Sequence, residues 1–304
     1  MKIGLVDLDT SHPSAWLPIE RALGHEIVGV WDGGSVHPTG YAEKFAKENG
    51  IPRVFANLIE MSANVDCAIL HGCDWDTHVE KARLFIEHGC AVLVDKPFAG
   101  NARDLAQFSH WAHMGARIIG SSALRFCYEV RNWLAKPESE RGTPHTALVG
   151  CGVDEFNYGI HAWSMLCGLM GPGIVSVRHL GEHPQRRIQV NWADGRLGFI
   201  AIGEVKAYLP FHASVVTDRG VHQIKADNGK LYKAMLEIML PWLAGTAPEP
   251  VAFDALIEAE RAAVAARRSW MHGNREVRLA DLGNSAEGYD GKVFASAYRK
   301  QKYP

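Results

Sequence analysis

Several things the chain does without narrow its class. No run of about 18 apolar residues occurs, so no helical membrane span is expected. The 32 basic residues are balanced by 34 acidic ones, for a formal charge of −2. That leaves no basic face for nucleic acid and no polybasic patch for a membrane surface. The six cysteines (Cys67, Cys73, Cys90, Cys127, Cys151, Cys167) form no CxxC pair and lie mostly in apolar contexts. Such usage fits reduced thiols, and a cytoplasmic location is the expectation. The start, Met1–Val6, reads as a first strand and not as a leader. Repeats and low-complexity stretches are also missing. What is present is ordinary for a soluble globular protein: 47% hydrophobic and 22% charged residues. At 304 residues the chain is long for one core, so two domains are expected.

Through residue 120 short apolar runs alternate with helical stretches, the signature of βαβ units and a parallel sheet. Strands are predicted at Ile3–Asp7, Glu26–Trp31, Arg53–Phe55, Cys67–His71, Ala91–Asp95 and Arg117–Gly120. Helices are predicted at Ser14–Leu23, Tyr41–Asn49, Thr77–His88 and Ala102–Met114, with a helical turn at Ile59–Ser62. From Ser121 strand-like runs follow one another: Ala147–Val153, Val175–Leu180, Arg187–Trp192, Leu197–Ile202, Phe211–Thr217 and Val221–Lys225. Asp194-Gly195 and Arg219-Gly220 supply hairpin turns. The fold class read from this pattern is α/β followed by α+β. A Rossmann-type dinucleotide-binding domain spans 1–120. A substrate-binding and oligomerisation domain spans 121–304, with an open, largely antiparallel sheet covered by helices near 158–170, 229–244 and 253–271.

Five groups of residues could carry chemistry. Asp95-Lys96-Pro97-Phe98 ends an apolar strand, at the carboxyl edge where open α/β sheets bind ligands. Pro97 forces the chain out of the sheet there, so Lys96 stands on a fixed stalk from which a buried ammonium can polarise a carbonyl or pass a proton. The loop after the first strand, Asp7-Leu8-Asp9-Thr10-Ser11-His12, lies where a dinucleotide fold would read GxGxxG. Asp7, Asp9 and His12 stand in the glycine positions. Carboxylates there repel a diphosphate, whereas Thr10 and Ser11 could donate to it or cap the next helix. Altered dinucleotide binding, a structural cap and a metal or polyol site are all open for this loop. Asp32, at the end of the second strand, suits an adenosine ribose; no arginine follows to receive a 2′-phosphate, so NAD is favoured over NADP. In His71-Gly72-Cys73-Asp74-Trp75-Asp76-Thr77-His78, Cys73, Asp74 and His78 are candidates for the cofactor crevice, with His78 facing it. No metal site is expected, because hard and soft ligands mix there without a recognised spacing. Finally, Asn157 and His161 are four apart and share a helical face, and a histidine is the usual proton carrier for an alcohol.

These residues, taken together, resemble the glucose-fructose oxidoreductase and inositol dehydrogenase family (Gfo/Idh/MocA). The resemblance rests on His88-Gly89-Cys90-Ala91-Val92-Leu93-Val94-Asp95-Lys96-Pro97, on Gly159-Ile160-His161, and on the order of elements between them and on to Ala263–Arg278. It implies a nicotinamide-dependent oxidoreductase acting on a sugar, polyol or related hydroxy compound. Lys96 would contact the reacting hydroxyl and the nicotinamide ribose, and His161 would take the hydroxyl proton. Arg125 and Tyr158 would help line the substrate pocket, and the second domain would pair into a homodimer or homotetramer. Two departures stand out: the glycine fingerprint is absent, and Asn157 occupies the place of a common family aspartate. An amide orients a hydroxyl but cannot accept its proton. A redox-neutral epimerase- or lyase-like enzyme and a non-enzymatic sugar sensor are therefore competing readings.

Overall fold

The computed structural model describes residues 1–304. In the first part β1 (Lys2–Val6), α1 (His12–Ala22), β2 (Glu26–Trp31), α2 (Tyr41–Glu48), α3 (Leu58–Ser62), β3 (Cys67–Leu70), α4 (His78–Glu87), β4 (Ala91–Val94), α5 (Ala102–His113) and β5 (Ile118–Gly120) follow one another. The strands form one parallel sheet in the order β2-β1-β3-β4-β5. Every residue of β3 and β4 is buried, as strands covered by helices on both faces must be. Each fully buried Leu, Ile or Val contributes about 1.5–3 kcal/mol relative to exposure. Asn57 and Asn101 cap α3 and α5 by accepting from Glu60 N and Asp104 N. The strand expected at Arg53–Phe55 shrinks to one bridge, Val54 to Val30. The order reverses between β1 and β3, so their carboxyl tips flank the crevice where doubly wound sheets take ligands.

The second part runs α6 (Tyr128–Ala135), α7 (Glu138–Arg141), β6 (Pro144–Cys151), α8 (Ile160–Met170), β7 (Ile174–Glu182), β8 (Arg186–Trp192), β9 (Leu197–Ile202), β10 (His212–Thr217), β11 (Gly220–Lys225), α9 (Leu231–Leu243), α10 (Phe253–Met271), β12 (Val277–Arg278) and α11 (Gly291–Lys302). Its seven strands form one sheet, β11-β10-β6-β9-β8-β7-β12. Both expected hairpin turns are present, at the β8–β9 and β10–β11 connections. The sheet is largely antiparallel, as expected, with β6 and β9 pairing in parallel at its centre. Helices α8 and α10 cover one face, whereas α9 crosses back to pack on α1, β4 and β5. Consequently a single apolar cluster of 82 buried residues runs through both sheets. No helix is long and apolar enough to cross a membrane.

Candidate active site at the strand tips

Asp95 continues the ladder of β4 by donating its N–H to Leu70 O (2.9 Å), which fixes its side chain at the sheet edge. Its Oδ1 accepts from Lys96 N (2.7 Å), and its Oδ2 accepts from His12 Nδ1 (2.6 Å) and lies 3.3 Å from His71 Nδ1. Burial pushes this carboxyl up, but His12 and His71 outweigh it and hold it well below the usual range. Asp95 is thus an anion. His12 must turn an Nδ1 proton toward it, which leaves Nε2 as the free nitrogen of an Asp–His dyad. The His12 ring stacks on Trp16 (5.4 Å between centroids) and meets the edge of Tyr232 (5.0 Å).

Lys96 is 9% exposed, and its Nζ donates to both Asn157 O and Asn157 Oδ1 at 3.0 Å. Two of three ammonium donors are used and one remains. Burial lowers the Lys96 pKa, with Asp95 and Asp154 opposing it. Asp154 shapes the loop that carries Asn157, since its Oδ1 accepts from Phe156 N and Tyr158 N, both at 2.9 Å. The Tyr158 ring lies 6.0 Å from Lys96 Nζ and 5.1 Å, edge-on, from the His161 ring. Lys96 and His161 therefore share one space. His161 Nδ1 sits 2.6 Å from Ser122 Oγ, which also accepts from Leu124 N (3.1 Å). In the tautomer that donates Nδ1–H to Ser122 Oγ, Nε2 is left as the acceptor nitrogen. Burial holds His161 well below its ordinary pKa, with the Lys96 and His12 charges adding to the effect, so the imidazole is neutral. Beside Tyr158 opens a cavity of about 500 Å³ lined also by Gly152, Val153 and the 204–209 loop. Three non-glycine residues of the surrounding loops, Asp7, Ser121 and Val153, are held at positive φ of 61°, 83° and 76°.

The dinucleotide half is built differently from the usual glycine-rich turn. Asp7 itself adopts the positive φ of the first glycine. Its Oδ1 accepts from Gly33 N (3.1 Å) and its Oδ2 from Lys81 Nζ (2.6 Å). Gly72 is required for this, because a Cβ there would meet Asp7 Oδ2 at 2.7 Å. Asp9 Oδ2 accepts from Cys73 N (2.9 Å), while its Oδ1 is buried without a partner. Burial, and then Asp7, push the Asp9 carboxyl up to about 7. Asp32 is half-buried at the rim of a cavity of about 530 Å³ with Trp31, Gly33 and Tyr41, and burial raises its pKa. As a fit test for a dinucleotide, the reacting end around Asp95, Lys96, Pro97 and His161 suits a nicotinamide ribose and a hydroxyl. The diphosphate end does not, as it holds the two buried carboxylates of Asp7 and Asp9.

Several expected site residues serve the fold instead. His78 faces no crevice: its two nitrogens lie 3.0 Å from Phe98 O and 2.9 Å from Gly72 O, and burial lowers its pKa. Arg125 lines a different cavity, with Cys167, Gly168 and Pro250. Thr10 Oγ1 accepts from His12 N (3.1 Å), and Ser11 sits at the N-cap of α1 without a side-chain cap bond. Asp74 caps the short 3-10 turn Trp75–Thr77. Cys73 packs against Val36 and Ala295. Ser122, His71, Tyr232 and Lys81 were not singled out from the sequence. The Ser121-Ser122 pair following a strand was the only hint of the first.

Comparison with known proteins follows from this geometry. Residues 3–119 match the Gfo/Idh/MocA model, described as an oxidoreductase family with an NAD-binding Rossmann fold. No curated protein matches the sequence. Among solved structures, the UDP-N-acetylglucosamine 3-dehydrogenase of Acidithiobacillus ferrooxidans is 17% identical, with 93% of this chain and 99% of that one covered and a TM-score of 0.72. The scyllo-inositol dehydrogenase of Lactobacillus casei, bound to NAD(H) and scyllo-inositol, is 12% identical over 92% and 99%, with a TM-score of 0.76. An NAD-binding oxidoreductase of Klebsiella pneumoniae is 14% identical over 92% and 98%, also with a TM-score of 0.76. At these identities the likeness is one of fold.

Proposed function

Because residues 3–119 match the Gfo/Idh/MocA model, described as an oxidoreductase family with an NAD-binding Rossmann fold, we propose that the chain is a member of that family and oxidises a CH–OH group of a small sugar, polyol or related hydroxy compound. The observation that carries this reading is that Lys96 Nζ and the His161 ring both lie beside the Tyr158 ring, at 6.0 Å and 5.1 Å. The remaining Lys96 donor holds the substrate oxygen, and the neutral His161 takes its proton as charge develops there. The cofactor, when bound, supplies the acceptor for the hydride, chemistry that is its own. Asn157 is a positioning residue: it aims the ammonium and replaces no base. Ser122 holds His161 Nδ1 and so orients the ring, and Tyr158 offers an apolar face on which a sugar ring can lie.

Incubating the protein with NAD and a panel of sugars and polyols at alkaline pH, read at 340 nm, identifies a substrate. Lys96→Met then lowers kcat/KM by about 10²–10⁴-fold while the fold is kept. Turnover within about tenfold of the parent, a barrier change near 1.4 kcal/mol, contradicts the assignment. The open face of the seven-stranded sheet carries half-exposed Leu148 and partly exposed Phe199, which suits a second copy of the chain, and sedimentation velocity would then give a dimer or tetramer.

A further inference from the structure

The carboxyl-terminal helix α11 lies across the crevice at the tips of β1, β2 and β3. Near its start Gly291 N donates to Asp76 Oδ2 (2.8 Å), and a Cβ on Gly291 would meet Trp75 N at 2.6 Å. Midway, Ala295 forms with Val36 and Cys73 a small apolar cluster separate from the main core, flanked by Phe294 and Tyr298. At its end Lys302 Nζ donates to Asp9 O (3.1 Å), and Arg299 Nη1 donates to Gly34 O (2.8 Å). Just beyond, Tyr303 Oη sits 2.6 Å from His37 Nδ1. The loops touched are those after β1, β2 and β3, which would hold the adenosine and diphosphate of a dinucleotide. Parts of these loops are closed to solvent, with Asp9 0%, Val36 0%, His37 1% and Cys73 2% exposed, while Asp32, Gly33 and Gly34 border the open cavity of about 530 Å³.

We propose that α11 is a built-in competitor of the dinucleotide, occupying the diphosphate part of the crevice around Asp9 and Cys73 and edging the adenosine cavity with Arg299, so that cofactor binds only after the helix swings out. Charge favours the occupant seen. The loops bring Asp7, Asp9 and Asp32 together, which repel a diphosphate, and the last turn of α11 brings Lys302 and Arg299 against them through Asp9 O and Gly34 O. The helix is also detachable. Only Gly291 and Ala295 are buried within it, and Val293 is 65% exposed, so little apolar surface holds it down. Its root is firm, because Tyr289 stacks on Phe156 (4.0 Å) and its Oη donates to Glu155 Oε1 (2.7 Å). Asp290 caps the helix through Val293 N, so the pivot lies at Tyr289–Asp290 and the helix can leave as a unit. Gln301 lines the cavity beside Tyr158, which ties the same movement to the substrate side. Apparent cofactor affinity is then the intrinsic one reduced by the open fraction.

This inference rests on the NAD-dependent reading above, and the test separates the two. NAD affinity is measured by quenching of tryptophan fluorescence for the full chain, for Ala295→Glu, and for the double variant Lys302→Ala with Tyr303→Phe. The double change acts at the exposed end, where folding is not at stake. Amide exchange of residues 291–302 is followed with and without NAD. The expected result is at least tenfold tighter NAD binding in both variants and faster exchange of 291–302 when NAD saturates the full chain. Unchanged affinity in the double variant, or unchanged or slower exchange of 291–302 on NAD binding, overturns the competitor role and leaves the NAD-dependent reading standing. If no form binds NAD at millimolar concentration, the NAD-dependent reading falls and the competitor role with it.

Discussion

Lys96 and Asn157 show how one side chain can set the chemistry of another. Nζ is held 3.0 Å from the Asn157 amide oxygen, which offers a dipole but no charge, and burial keeps the lysine below its usual pKa. Asn157→Asp would put an anion at that distance. An opposite charge within about 4–6 Å raises such a pKa by roughly 1–3 units, so the alkaline limb of kcat/KM moves up by at least one pH unit. A limb that stays in place would show that Lys96 does not titrate in the reaction. The acid limb belongs to His161. Its folded pKa is depressed, so it remains an acceptor well below pH 6.5, and activity that already falls near pH 7 would contradict its role. The same sign governs stability. The unfolded chain takes up protons on its histidines near 6.5 while His161, His71 and His78 resist, so stability is present above that pH and is lost as pH falls below it.

Among the helices and strands, the most legible were those with a strict pattern. The uniformly apolar Ala91–Val94 and the Asp194-Gly195 hairpin leave little choice of conformation. Helix α11 was not anticipated, because its inward face is only Phe294, Ala295 and Tyr298, too narrow a stripe to stand out from a polar tail. The strand expected at Arg53–Phe55 failed for the opposite reason. Its β-branched and aromatic residues suit a sheet edge, but only Val54 reaches a bridge. Helix α1 hides a different feature, Glu20, which is fully buried with both oxygens unpartnered. Burial raises its carboxyl to about 8. In the unfolded chain it ionises near 4.5, so its neutral form favours the fold below that pH, and the advantage is lost as pH rises toward 8. The difference is on the order of 3 kcal/mol at neutral pH. Glu20→Gln should therefore flatten the decline of stability between pH 4.5 and 8, as read from denaturant melts; an unchanged slope would mean that Glu20 is not buried as a neutral acid.

For the molecule as a whole, the fold was readable because periodicity and turn chemistry report on sheets and helices wherever they lie. The site was readable only in part. Lys96 and His161 are marked by local motifs, whereas the His12–Asp95 dyad and the Ser122 support of His161 arise from contacts spanning 83 and 39 residues. Asp7 and Asp9 read as misfits in a glycine-rich loop, and only the partners supplied by Lys81, Gly33 and Cys73 explain how the fold accommodates them. The cooperation of the two halves can be read from a double-mutant cycle on kcat/KM with NAD and the substrate found in the panel, using Lys96→Met, His161→Asn and both together. Residues acting as one unit on one hydroxyl are strongly non-additive. The double variant is predicted to be no more than about tenfold slower than the worse single variant. Losses that multiply in full would mean that the lysine and the histidine do not act on a common group.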